Sequence, residues 1–220
     1  MKKLVVMLSV LCVAVVSVSN AGILIGNFEE DGLDYANGFS GTIVESPGVT
    51  LDNHAMELVS DGGWVGLGEF YLCGTDAQAV LAAGGQVILD LTVVPTEADG
   101  WWGDMGLVIN AGGDDPGNFW NAEAWLGAAP VGGTTEVTFQ LSQETMDLIP
   151  QFNWYFNVGI QTNSRGTEVE TETDPITGDV TETVIYDGTV TYYIDNVRVV
   201  PEPATMSLLG LGLVLVRKRR

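Results

Sequence analysis

Gln86-Val87-Ile88-Leu89-Asp90-Leu91-Thr92-Val93-Val94 is the most apolar run in the body of the chain and reads as a central β-strand. The same texture continues outward in both directions. Short apolar runs rich in Val and Thr are separated by glycine and other turn residues, and helix signals are scarce. The pattern predicts strands at Ile23–Asn27, Gly41–Ser46, Ala55–Ser60, Trp64–Phe70, Met105–Asn110, Thr135–Leu141, Trp154–Thr162 and Thr189–Val199. Many short strands with turn signals between them make an all-β sandwich. Gln143–Ile149 is one short helical turn with Ser142 as its N-cap.

Residues 167–186 read as a hairpin. Thr167 to Thr173 alternates Thr or Val with Glu, Asp174-Pro175-Ile176-Thr177-Gly178-Asp179 is a turn cluster, and Val180 to Tyr186 returns. Few of these side chains suit a core, so the reading is a protruding, solvated ribbon whose glutamates discourage edge pairing. Asp99–Asp104 and Gly112–Trp125 are glycine-rich, acidic and aromatic, and are read as long loops. Trp101, Trp102, Trp120 and Trp125 stand in these polar stretches. Stacking on a sugar ring and plain packing are both open to them. Trp64 and Trp154 fall in predicted strands and are assigned to the core.

The charge is lopsided. The chain holds 8 Lys and Arg against 29 Asp and Glu. Lys2, Lys3, Arg217, Lys218, Arg219 and Arg220 lie at the ends, as does one acid, Glu202. Residues 22–200 therefore keep Arg165 and Arg198 against 28 acids, a formal net charge of −26. Such a surface repels nucleic acid and anionic lipid, and favours divalent cations and solubility. A salt-adapted surface and calcium binding fit the composition equally. Cys73 is the single cysteine of the body, so no internal disulfide forms there. Its apolar neighbours place it in the interior, with pairing between chains the alternative.

The two ends carry addresses. Lys2 and Lys3, the apolar run Leu4–Val18 and the small residues Ser19-Asn20-Ala21 make a secretory signal helix, so residues 1–21 are assigned to a signal peptide removed by signal peptidase. At the other end Val200-Pro201-Glu202-Pro203-Ala204-Thr205 precedes an apolar stretch, Met206–Val216, and a basic close, Arg217-Lys218-Arg219-Arg220. The prolines keep the motif extended, and the basic cluster stays on the cytoplasmic side. This arrangement resembles the PEP-CTERM sorting signal, and the resemblance covers the last 20 or so residues. It implies recognition by exosortase, a membrane-embedded cysteine protease, and an envelope that makes exopolysaccharide. It also implies transient anchoring in the inner membrane through a short apolar helix. Counted from Ala204 that run is 13 residues, short for a bilayer span of about 20.

Between the ends, residues 22–199 are assigned to one domain. Ile25-Gly26-Asn27-Phe28-Glu29-Glu30-Asp31-Gly32 opens it, Leu51 to Leu58 follows, and Tyr192-Tyr193-Ile194-Asp195-Asn196-Val197-Arg198-Val199 closes it. These segments resemble the strands of the galactose-binding-like jelly roll found in carbohydrate-binding modules. The resemblance implies a jelly-roll β-sandwich and a structural calcium (Ca2+) tying first strand to last, held by Glu29, Asp195 and an oxygen near Asp52. Carboxylate oxygens suit calcium.

Catalytic patterns are absent or weak. His54 lacks a serine elbow, one His and one Cys do not make a zinc site, and no glycine-rich loop cradles phosphate. Glu69 and Glu123 lie near aromatics, as sugar-cleaving carboxylates do. The sequence reads as a non-catalytic exported surface or extracellular-matrix protein with a glycan-binding role for its tryptophans. A secreted polysaccharide hydrolase and a calcium-dependent adhesin are the alternatives.

Overall fold

The computed structural model describes residues 22–26, 28–29, 36–37, 40–45, 54–94, 104–128 and 132–201. Among these the chain forms β1 (Ile23–Gly26), β2 (Ala36–Asn37), β3 (Thr42–Glu45), β4 (His54–Ser60), β5 (Gly63–Tyr71) and α1 (Asp76–Ala82). Then come β6 (Gln86–Val93), β7 (Asp104–Gly112), β8 (Asn118–Ala128), β9 (Thr134–Gln140), α2 (Gln143–Leu148) and a 3-10 turn, Ile149–Gln151. The chain continues through β10 (Tyr155–Ser164), β11 (Gly166–Thr173), β12 (Val180–Gly188) and β13 (Val190–Val200).

The period-two pattern of the opening stretch decides the packing. Along β6 every second residue, Val87, Leu89, Leu91 and Val93, is buried, and the residues between are half-buried. β6 lies between β9 and β13 in an antiparallel sheet ordered β3-β4-β13-β6-β9, and β1 pairs with the far end of β13. A second antiparallel sheet runs β2-β5-β10-β7-β8. The core lies between the sheets. Tyr192, Ile194, Leu89 and Leu91 enter it from the first, and Phe70, Leu107, Ile109, Phe156 and Ile160 from the second. The body is an all-β jelly-roll sandwich.

Tyr192 has no exposed surface, and its hydroxyl donates to the Asn163 carbonyl at 3.0 Å. Burial, and beyond it the negative charge of Asp104, push that phenol far above its ordinary range. Past Ile194, β13 carries a bulge between Asp195 and Arg198. Asn196 sits there at φ 48°, a left-handed conformation that Asn tolerates better than most residues. Its side chain donates to Asp90 at 3.1 Å, and Arg198 donates to its carbonyl at 2.9 Å.

α2 follows the sequence reading: the Ser142 hydroxyl accepts the Thr145 N–H at 3.2 Å. α1 does not, since the sequence reading placed no helix there. Thr75 caps it by accepting the Gln78 N–H, and the Gln78 side chain reaches back to the Gly74 N–H at 2.7 Å. That reciprocal pair is close to a capping box, Thr-x-x-Gln. Residues 112–125 also depart from expectation. Most of the supposed loop is β8, because its backbone pairs with β7 from Asn118 to Ala128.

The ribbon protrudes as read. β11 and β12 form their own two-stranded sheet, and Ile176 at its tip is 92% exposed. Arg165 anchors the base, donating to Glu168 at 2.7 Å with its guanidinium over the Tyr186 ring. Asp61 accepts bonds from Thr167 and Thr189 there, and these hold its carboxyl below the usual range. Cys73 is half-buried, its sulfur 3.8 Å from the Phe152 carbonyl oxygen.

Candidate functional site

The outer face of the five-stranded sheet follows from alternation and register. Phe156, Val158 and Ile160 of β10 point into the core, so Asn157, Gly159, Gln161 and Asn163 line the other side. Directly paired residues share a face. One row across the sheet is therefore Tyr71, Asn157, Asn110 and Trp120. The next is Glu69, Gly159, Val108 and Ala122. Then come Gly66, Gln161 and Gly106, with the backbone of Trp125 opposite Gly106. Trp64 stands opposite Asn163 in the row after that.

Glycine shapes the middle rows. Gly66, Gly68 and Gly159 leave the floor without side chains, and Ser40, Glu69, Val108 and Gln161 form the sides of a groove of about 460 Å³. Large aromatics bound it. Trp64 is 54% exposed at one end, and Tyr71 and Trp120, 42% and 61% exposed, stand at the other. The rows of Asn163 and Asn157 are six residues apart on β10, about 20 Å. Beyond Tyr71 the sheet ends in Trp154, whose indole N–H donates to Asp114 at 3.1 Å. Interaction with the Cys73 thiol raises the Tyr71 phenol above its ordinary range.

Glu69 is the carboxylate among the described residues lining the groove, and it accepts a bond from the Asn110 amide at 2.9 Å. Glu123 has a different task. Its oxygens accept from Asn121 at 2.5 Å, from the Ser142 N–H at 3.0 Å and from the Thr145 hydroxyl, so it fastens β8 to the start of α2.

The candidate residues separate into groups. Trp120 is exposed on this face, but from a strand and not from a loop. The Trp125 backbone pairs with Gly106, and its side chain lies outside the described residues, as do Trp101 and Trp102. Trp64 and Trp154, assigned to the core, are each 54% exposed, because their strand positions fall on or beside the solvent face. Of the calcium candidates, Asp195 is fully buried and accepts the Asn196 N–H at 2.6 Å. The Glu29 oxygens meet the His54 N–H at 3.0 Å and its Nδ1 at 2.9 Å. Asp52 lies outside the described residues, and among those described no group of three or more His, Cys, Asp or Glu clusters as a metal site.

At the C-terminus β13 runs to Val200, and Pro201 is half-buried directly after it. Glu202, Pro203, Ala204 and the basic residues Arg217 to Arg220 lie outside the described residues. Residues 199–220 match a family described as the PEP-CTERM protein-sorting motif. The chain carries a PEP-CTERM sorting motif. It marks the protein for export, surface sorting and processing by exosortase.

No curated protein matches the sequence. Three of the solved structures to which the chain is similar are carbohydrate-binding modules. One is described under the promiscuous specificity of carbohydrate-binding modules from the β-sandwich superfamily. It has 16% identity and a TM-score of 0.49 over 82% of this chain, which spans 63% of that one. The CBM22-1 xylan-binding domain of Paenibacillus barcinonensis Xyn10C has 10% identity, a TM-score of 0.48, and coverage of 83% and 97%. A CBM28 module specific for non-crystalline cellulose has 16% identity, a TM-score of 0.43, and coverage of 82% and 95%.

Proposed function

We propose that this protein is a non-catalytic surface or matrix protein that binds extracellular polysaccharide along the outer face of its five-stranded sheet. The supporting observation is a glycine-floored groove bounded by exposed Trp64, Tyr71 and Trp120. Soluble proteins seldom leave several large aromatics exposed around one depression. The flat apolar face of a sugar ring stacks on an indole, and its hydroxyls bond to Asn, Gln and Glu side chains between the aromatics. The groove's length suits several sugar rings of one chain. Glycosidic hydrolysis uses two carboxylates across the bond. Glu69 enters the groove and Glu123 is engaged at α2, so binding is the better account of the face. The apolar stretch of the tail anchors the chain in the inner membrane until exosortase acts.

A glycan array identifies ligands, and titration of the purified protein measures them. Trp120→Ala weakens binding by about 5- to 30-fold, the loss of roughly 1–2 kcal/mol of stacking and buried area. Its melting midpoint stays close to the parent's, since the side chain is exposed. Binding unchanged in Trp120→Ala and Trp64→Ala removes this face as the site.

Structural calcium belongs to the same proposal. β1 is paired with β13 at Val197–Val199, with Glu29 three residues past the end of β1 and Asp195 two residues before that paired stretch. Bound calcium supplies charge neutralisation between such carboxylates. At a hundredfold excess over its dissociation constant it adds about 2.7 kcal/mol, or roughly 5–11 °C in midpoint for a domain of this size. Chelation reverses the gain, and Asp195→Asn loses the response. An identical midpoint with calcium and with chelator eliminates the metal.

A further inference from the structure

The groove's charge names a class of ligand more closely. We propose, resting on the glycan-binding reading above, that Glu69 makes the groove select polysaccharides carrying free amino groups over their neutral or N-acetylated equivalents.

Glu69 is a half-buried carboxylate in the middle of the groove, and its neighbour across β10 is Gly159, which adds no side chain. Its protein partner is one neutral amide, that of Asn110. The cations of the body are committed elsewhere. Arg165 holds Glu168 and Tyr186 at the ribbon, Arg198 bridges Asp90 and Glu136 on the other sheet, and His54 faces Glu29. Among the described residues the negative charge of Glu69 therefore stands in the groove without a counter-charge.

The next row is polar but uncharged. Asn157 is 5% exposed, and its Oδ1 has no hydrogen-bond partner. That oxygen is shielded from solvent, so the charge offered to a ligand is that of Glu69. Between Asn157 and Trp120 in that row, the Asn110 amide is already spent on Glu69. The Ser40 hydroxyl likewise donates to the Gly66 carbonyl, inside the groove wall. The Asn110 and Ser40 donors are thus used within the protein, and the Gln161 side chain is the neutral polar group left beside Glu69.

A protonated amino sugar answers this arrangement. Its ammonium is a compact cation with three donors, and a charge-assisted bond to a carboxylate is about twice as strong as a neutral one. A hydroxyl at the same carbon donates once and carries no charge. An N-acetyl group loses the charge and presents a carbonyl acceptor to the Glu69 carboxylate, which only accepts. The body's net charge of −26 draws a polycation towards the groove and repels uronates and sulfates.

Three β-1,4-linked oligosaccharides of equal length separate these cases, because they differ only at carbon 2. They are glucosamine, N-acetylglucosamine and glucose oligomers, titrated calorimetrically into the purified full chain. The glucosamine oligomer binds about tenfold tighter than the glucose oligomer at low salt, and the advantage shrinks as salt screens the pair. Glu69→Gln removes that advantage, bringing the glucosamine and glucose oligomers to similar affinity, and does not move the melting midpoint. Equal affinity for the amine and the hydroxyl, or a preference surviving in Glu69→Gln, overturns the proposal. The second result assigns amine binding to the acidic surface at large. A glycan that binds with sensitivity to Trp120→Ala but without amine preference leaves the groove reading standing and this inference refuted. Absence of binding by all three refutes this inference, while the array decides the groove reading separately.

Discussion

Phe70→Ala lowers the stability of the sandwich by about 3–5 kcal/mol, which moves the melting midpoint by roughly 6–20 °C. Phe70 is fully buried and lies where the two sheets meet at β1. Its ring sits 6.5 Å from that of Phe28, centroid to centroid. A Cβ on Gly26 would lie 2.6 Å from the same ring, so the ring fills the volume that a side chain of β1 would otherwise occupy. Truncation leaves that volume empty. β1 cannot fall into it, because Ile23 and Leu24 are paired with Val199 and Arg198. A site that cannot collapse shows the upper part of the large-to-small range. Ile176→Ala provides the contrast. That residue is apolar but 92% exposed at the tip of the ribbon, and its removal stays within about 0.5 kcal/mol. Denaturant unfolding of both variants compares them. A small loss for Phe70→Ala would mean that this end of the core is loosely packed.

The same contrast explains what the sequence could tell. Alternation is a property of one strand, so β6, β13 and the ribbon were legible from local pattern alone. The central strand did lie between two partners, and the ribbon's Thr-Glu alternation did mark a sheet with no core of its own. Which face of a strand meets solvent is a property of its partners. Trp64 sits between Gly63 and Val65, and nothing local says that Val65 packs inward while Trp64 faces out. The rows of the groove join residues far apart in sequence, such as Glu69, Gly159 and Val108. Only the pairing of β5, β10 and β7 brings them together. Glu69 and Glu123 looked alike in sequence, each an acid near aromatics. A wall of the groove and a fastening at α2 are what their strands made of them. The cap of α1 was written in Thr75 and Gln78, and was obscured by the surrounding strand-like composition.

Gly66→Leu abolishes glycan binding, weakening it by about a hundredfold or more, and leaves the fold intact. The two halves of this prediction have separate causes. A Cβ placed on Gly66 meets nothing within 4 Å, and its backbone lies outside the left-handed region that disfavours side chains. The Ser40 hydroxyl bonds to the carbonyl of residue 66, which any residue supplies. Glycine inside a strand is less favourable than a residue with a side chain, so leucine there raises or preserves stability. The added isobutyl group enters the groove beside Gln161, where a ligand would lie. Gly159 is a poorer place for the same experiment, since a Cβ there comes to 3.5 Å from the Glu69 side chain and disturbs the carboxylate under test. Melting curves verify the fold, and titration with the best ligand from the array reads the loss. Parental affinity in Gly66→Leu would place the glycan away from the groove. A loss matching that of Trp120→Ala in kind but larger in size would mean that one chain lies across both, with the missing side chain at position 66 as its bed.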